Sequence, residues 1–272
     1  MPTIPRKAED RIVAGIKRFQ PILASAKSRD VNESDTVLII TDVLADVFGY
    51  EKYSEITSEM AIRGTYCDLA IKLDGKVQVL IEVKAIGLEL KANHLKQAVD
   101  YAANQGIEWV VLTNGNVWRI YRVIFAKPID SEMIAEFMFP ELDVKRAEHM
   151  ELVFLLSKEG WAKSAIGEFE SRKQALNRFF IGAVVLSEPV LSVIRRELRR
   201  VTPDVKVEVE QICAVLSNEV LKREVIEGEK FAEAKKIINR AASKMLREVR
   251  DHEPELPPPA QDGPCDLPPV TS

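Results

Sequence analysis

The chain has 272 residues, 46% of them hydrophobic and 29% charged, a globular mix with room for one large domain or two ordinary ones. Its longest charge-free apolar stretch, Phe179 to Leu186, is far short of the roughly 20 residues of a membrane span, and MPTIPRKAED turns charged before a signal-peptide core could form. A cytoplasmic protein with no membrane contact is expected. Cys67, Cys213 and Cys265 are isolated, as are His94, His149 and His252, which argues against a disulfide framework and a zinc finger.

The net charge of −4 hides an asymmetry. Asp251, Glu253, Glu255, Asp262 and Asp266 lie in a terminal stretch without Lys or Arg, and without that stretch the charge is +1. Residues 1–30 carry seven Lys or Arg against three acids, and Arg195, Arg196, Arg199 and Arg200 form a second basic cluster. The cluster reads first as a solvated helix face, with phosphate binding as the alternative.

Residues 1–30 read as a helix broken near Pro21. After Asn32 and Glu33, Val37, Leu38, Ile40, Leu44, Val47 and Phe48 follow helical spacing, and Gly49 ends the run. Short β-rich runs come next: Ser54 to Met60, Thr65 to Leu73, and Lys76 to Ala85, the last two joined across Asp74-Gly75. His94 to Asn104 reads as a helix with Asn93 as its N-cap and Gly106 as its stop. Glu108 to Thr113 and Val117 to Val123 read as strands flanking Asn114-Gly115, a hairpin signal. The order is α-β-β-β-α-β-β, a sheet covered by helices.

After Pro128 the periodicity turns helical. Helices are predicted at Arg146–Leu156, Ser164–Leu186, Pro189–Val201, Asp204–Ile226 and Lys230–Arg250, with Thr202-Pro203-Asp204 capping the fourth. The last two read as an antiparallel pair or an oligomerisation arm. From Glu253 the acidic, Pro-rich stretch reads as disordered.

The chemistry is concentrated at Asp68 and Ile81-Glu82-Val83-Lys84. On a strand Glu82 and Lys84 share a face, and their neighbours are apolar. Buried charges of this kind must be paired or hold a metal. Whether Asp68 joins them depends on register. A two-residue turn at Asp74-Gly75 pairs residues whose numbers sum to 149, which sets Asp68 opposite Ile81 and turns the acids to opposite faces. One β-bulge, or a three-residue loop, makes the sum even and brings Asp68, Glu82 and Lys84 together. Two carboxylates beside a lysine then suit Mg²⁺, which prefers hard oxygen ligands, and phosphodiester hydrolysis. An isolated Glu-x-Lys also describes an ordinary cross-strand salt bridge.

Asp68 followed by Glu82-Val83-Lys84 after a hairpin resembles the PD-(D/E)xK nucleases, with Cys67 in place of the proline. Asn32-Glu33, Ile81 to Lys84, Gln97-Ala98-Val99-Asp100-Tyr101, and Leu112-Thr113-Asn114-Gly115 with Trp118 and Tyr121 resemble the N-terminal nuclease domain of type I restriction enzyme R subunits over roughly residues 30–125. The resemblance implies a restriction-endonuclease-like αβββαβ core, to which the periodicity after Pro128 adds an all-helical C-terminal region. It implies Asp68, Glu82, the Val83 carbonyl and Glu33 at a Mg²⁺ ion, for which Mn²⁺ could substitute. It further implies Lys84 as the catalytic lysine, Gln97 as a helix residue of the site, and Tyr101 as its partner one turn later. No GxxxxGK[ST] loop of a translocase is present.

The organisation expected is an N-terminal helical arm at 1–30, a nuclease-like domain at 31–127, a helical region at 128–250, and a disordered tail at 251–272. The function expected is Mg²⁺-dependent DNA hydrolysis in defence or DNA processing. DNA is the expected partner, and the C-terminal helices are a candidate homo-oligomer interface. The alternatives are an inactive nucleic-acid-binding relative and a helical oligomerisation or regulatory protein.

Overall fold

The computed structural model describes residues 3–62 and 65–251. The tail expected to be disordered lies outside these residues, apart from Asp251. The described part divides into two compact units, with the boundary at Arg172.

The first unit is built on a six-stranded mixed sheet in the order β1-β2-β3-β4-β5-β6. Its strands are β1 (Ile56–Ile62), β2 (Thr65–Leu73), β3 (Lys76–Val83), β4 (Trp109–Thr113), β5 (Val117–Ile124) and β6 (Asp130–Met138). Neighbours are antiparallel except β3 and β4, which are parallel and joined by the crossover helix α3 (Ala92–Gln105). The helix α3 covers one face through Leu95, Ala98, Val99 and Ala102, packed on Ala70, Leu80, Val110 and Leu112. The other face, with Ile71, Val79, Ile81, Val111 and Trp118, packs on α1 (Arg6–Ser28), α2 (Glu33–Asp46) and α4 (Ala147–Leu155). Trp118 is fully buried, parallel to Phe137 and edge-on to Phe48.

Three expectations fail in this unit. The first is the broken N-terminal arm. The helix α1 runs unbroken through Pro21 and belongs to the core. Pro21 is exposed, while Ile12, Ile16, Phe19 and Leu23 are each at most 2% exposed. A proline inside a helix costs about 3 kcal/mol, and burying one such side chain returns about 1.5–3 kcal/mol, so the apolar stripe outweighs the break. The second is the boundary at residue 127. The strand β6 continues the sheet past it, and α4, α5 (Lys158–Ala162) and the start of α6 (Ala165–Ala175) fall in the same unit. Two acids and a serine in Asp130-Ser131-Glu132 conceal β6, which buries only Ile134, Ala135 and Phe137. The third is the cap of α3, which is Lys91 rather than Asn93; the Lys91 N–H donates to His94 Nδ1 at 3.2 Å.

The second unit contains α7 (Arg178–Val185), α8 (Glu188–Val201), α9 (Val209–Val215), α10 (Arg223–Ile226) and α11 (Glu229–Asp251). The predicted helix 164–186 is two helices, because Asn177 accepts the Phe179 N–H and starts a new one. The predicted helix 204–226 begins only at Val209, where Gln211 Oε1 accepts the Glu208 N–H, and a π-helical turn at Leu216–Val220 interrupts it. The last two predicted helices are therefore not a simple pair. The helix α11 packs along α7, and Gly182 lets Val225 of α10 close onto the α7 backbone. The arginine cluster of α8 is partly compensated: Arg196 and Arg200 bridge Glu197, and Arg195 approaches Glu208.

Candidate active site

Asp74 and Gly75, both at positive φ, form the two-residue turn that Asp-Gly favours. Next to it, Leu73 pairs with Lys76 and Lys72 with Val77, the sum of 149. One step further Ile71 pairs with Val79, leaving Gln78 as an extra residue in β3. The strands continue through Ala70–Leu80 to Leu69–Ile81 at a sum of 150. The turn is the regular one and the register is nevertheless the even one, because a bulge follows it. Extended by one residue, that register sets Asp68 against Glu82. Alternation then places both on the α3 side of the sheet, with Ala70 and Leu80.

The paired ladder ends at Leu69–Ile81. The Lys84 N–H turns to β4 and donates to the Thr113 carbonyl at 2.8 Å. By alternation the Val83 N–H points toward β2, where Asp68 Oδ2 accepts it at 2.7 Å. Asp68 thus takes the place of a missing backbone acceptor. Cys67 fills the same gap with its thiol against the Ile81 carbonyl; burial first, then the charges of Glu82 and Asp68, push that thiol up to about 12. It is a packed filler rather than a nucleophile.

Lys84 is the centre of the cluster. Its Nζ lies 2.6 Å from Glu82 Oε1, 2.9 Å from the Val83 carbonyl oxygen and 3.6 Å from Glu33 Oε2. Glu33 is brought there by the first turn of α2, whose N-cap Asn32 accepts the Asp35 N–H at 2.9 Å. The Glu82 side chain is only 8% exposed and that of Lys84 only 16%. Burial raises the Glu82 and Asp68 carboxyls above their ordinary values, and Glu33 adds to both shifts. Burial works against the Lys84 charge too, but Glu82, Glu33 and Asp68 together outweigh it and hold the ammonium above its ordinary value.

Asp68, Glu82, Val83, Lys84 and Glu33 therefore come together. Gln97 does not join them by a hydrogen bond; it is exposed on α3. Tyr101 is buried on the same helix. The donor set is carboxylate and carbonyl oxygen, which suits Mg²⁺, an ion held by one or two carboxylates plus water. Among the described residues no three acidic, His or Cys side chains converge as a metal cluster. Lys84 lies on the Glu82 and Val83 oxygens that a cation would use.

This geometry has a counterpart in sequence. Residues 39–136 match the family model of the Type I restriction enzyme R protein N terminus (HSDR_N). The R-protein N-terminal match runs from within α2 into β6, so it contains Asp68, Glu82, Lys84 and Gln97 and leaves Glu33 just outside. Comparison with curated proteins and with solved structures gave no match.

One feature of residues 39–136 exceeds what their motifs foretell. Asn114-Gly115 reads as a turn only, yet the hairpin also reaches the loop that leaves Lys84. Asn114, Asn116 and Arg119 donate to the Leu88, Ile86 and Leu90 carbonyls. The available signal was a second asparagine next to the turn glycine. Among the described residues no helix is long and apolar enough to cross a membrane.

Proposed function

We propose that this site hydrolyses phosphodiester bonds of DNA with Mg²⁺, in a restriction-related role. The observation that supports the reading is the bulge-set register that brings Asp68 and Glu82 to one strand end, where Glu82 and Glu33 share the ammonium of Lys84. It falls largely within the segment that matches the R-protein N terminus.

Asp68, Glu82 and the Val83 carbonyl would hold the ion, with Glu33 approaching from α2. The ion supplies a water of lowered pKa and offsets charge on the attacked phosphate. For this, Lys84 must leave Glu82 and the Val83 carbonyl. Its ammonium is then free to face the phosphate oxygens and offset the charge that develops there. Asp68 keeps its bond to the Val83 N–H and fixes the strand end. Gln97, exposed on the adjacent helix, would reach the substrate rather than the carboxylates.

The test is incubation of the purified protein with plasmid, linear and single-stranded DNA, with Mg²⁺, Mn²⁺ or EDTA. Metal-dependent cleavage lost in Lys84→Ala supports the reading. No cleavage of any substrate by the parent protein, or cleavage that persists in Lys84→Ala, contradicts it.

A further inference from the structure

We infer that the β4–β5 hairpin is a clamp that positions Lys84, with Asn114, Asn116 and Arg119 as positioning residues; the inference rests on the function proposed above. The loop between Lys84 and α3 has no strand or helix of its own. Three of its carbonyls, at alternate residues, each receive a side chain from one hairpin. Asn116 Nδ2 reaches Ile86 at 3.4 Å, Asn114 Nδ2 reaches Leu88 at 2.8 Å, and Arg119 Nη1 reaches Leu90 at 2.9 Å. The Thr113 carbonyl, just before the turn, holds the Lys84 N–H itself. Glu136 of β6 holds Arg119 in turn. Asp30, in the turn between α1 and α2, also rests its carboxylate on Gly87, where a Cβ would meet Oδ1.

A turn alone does not require this. Asn114 already makes the turn through Oδ1, which accepts the N–H groups of Asn116 and Val117. Its amide nitrogen is extra, and it goes to the loop. Asn116 is 4% exposed and its Oδ1 has no partner, a cost that the turn does not demand. Both asparagines are thus oriented by the loop that follows Lys84. A lysine that must leave Glu82 and face a phosphate needs a fixed backbone from which to swing, since small misplacements of a catalytic group are expensive in rate.

The test uses Asn114→Asp in the full chain. The carboxylate keeps the turn acceptor and loses the donor to Leu88. Arg119→Gln, which releases Leu90 without touching the turn, is the second variant. Hydrogen exchange of the 84–91 amides is expected to quicken by about tenfold or more in both. Mn²⁺ affinity should stay within about twofold, because the ligands sit on β2, β3 and α2. On DNA, kcat should fall by about tenfold or more with KM nearly unchanged. Unchanged exchange would overturn the clamp. Faster exchange with parental kcat would overturn the positioning role. A parent protein that cleaves no nucleic acid would remove the proposed function and the positioning role with it, and exchange alone would then decide whether the hairpin clamps the loop.

Discussion

Two buried glutamates of the first unit each hold a cation at 2.6 Å, and their surroundings differ. Glu151 of α4 meets Arg172 of α6, whose guanidinium also lies 5.4 Å from the Phe169 ring. One acid meets one base, and among the described residues no second acid bridges Arg172. Glu82 meets Lys84 with much the same side-chain exposure, 8% against 7% for Glu151. Here Glu33 stands 3.6 Å from the same ammonium, and Asp68 is bonded to the adjoining Val83 N–H. Two carboxylates share one lysine, and a third is bonded to the backbone beside it. A structural ion pair balances its charge, because each uncompensated buried charge is costly. The β2–β3 end carries an excess of negative charge that a divalent cation would neutralise, and functional sites are where such conflicts are kept.

The comparison breaks most sharply in activity. Lys84→Ala should lower DNA hydrolysis by about a hundredfold or more, the usual loss when one electrostatic stabiliser is removed. Arg172→Ala should leave hydrolysis within about twofold in the same assay. Its effect should appear in denaturant unfolding instead, as a loss of about 1–3 kcal/mol. That is less than a fully buried pair would lose, because Arg172 is one-third exposed.

A smaller effect separates the two glutamates by what rescues them. Without metal, Lys84→Met leaves Glu82 unpaired and should lower the melting temperature. Mn²⁺ should then stabilise Lys84→Met more than the parent, since the competing ammonium is gone. A tenfold gain in affinity corresponds to about 1.4 kcal/mol at saturating metal. Arg172→Ala should gain nothing beyond the parental response.

The smallest effect is in pH dependence. Burial raises the folded-state pKa of Asp68 and Glu82, so the folded protein binds those protons more tightly than the unfolded chain. Their contribution to stability is therefore greatest when they are protonated. It falls as pH rises from the ordinary carboxylate range through the raised values. Asp68→Asn removes one such group. Its stability relative to the parent should be more favourable at pH 7 than at pH 4, as urea unfolding at the two values would show. An equal difference at both would mean that folding does not raise the carboxyl.

Much of the site was legible because local rules act there. Glu82 and Lys84 share a face by strand alternation, and Asn32 and Glu33 mark a helix start. The register was legible only as a condition. Asp74-Gly75 fixes the turn, but the bulge at Gln78 is set by packing: the slip puts Val79 and Ile81 under α2 and Leu80 under α3. Pro21 misled because a local penalty is overridden by a tertiary stripe, and β6 was missed because an edge strand buries few residues. In the second unit, Asn177 starts a new helix where periodicity alone would continue one, and the cap expected at Thr202-Pro203-Asp204 is replaced by Glu208, because the next helix starts only at Val209. Beyond a second asparagine beside the turn glycine, the clamp was not legible, since it joins residues about 30 apart through backbone carbonyls, which leave no trace in side-chain pattern.

Calorimetric titration of Mn²⁺ into the metal-free protein tests most directly whether the excess charge is a cation site. One saturable site per chain is expected, lost in Glu82→Gln, strengthened in Lys84→Met and unchanged in Arg172→Ala. A parent protein with no saturable site, or a site that survives Glu82→Gln at full affinity, would contradict the account and leave Glu82 and Lys84 as a salt bridge of the same kind as Glu151 and Arg172.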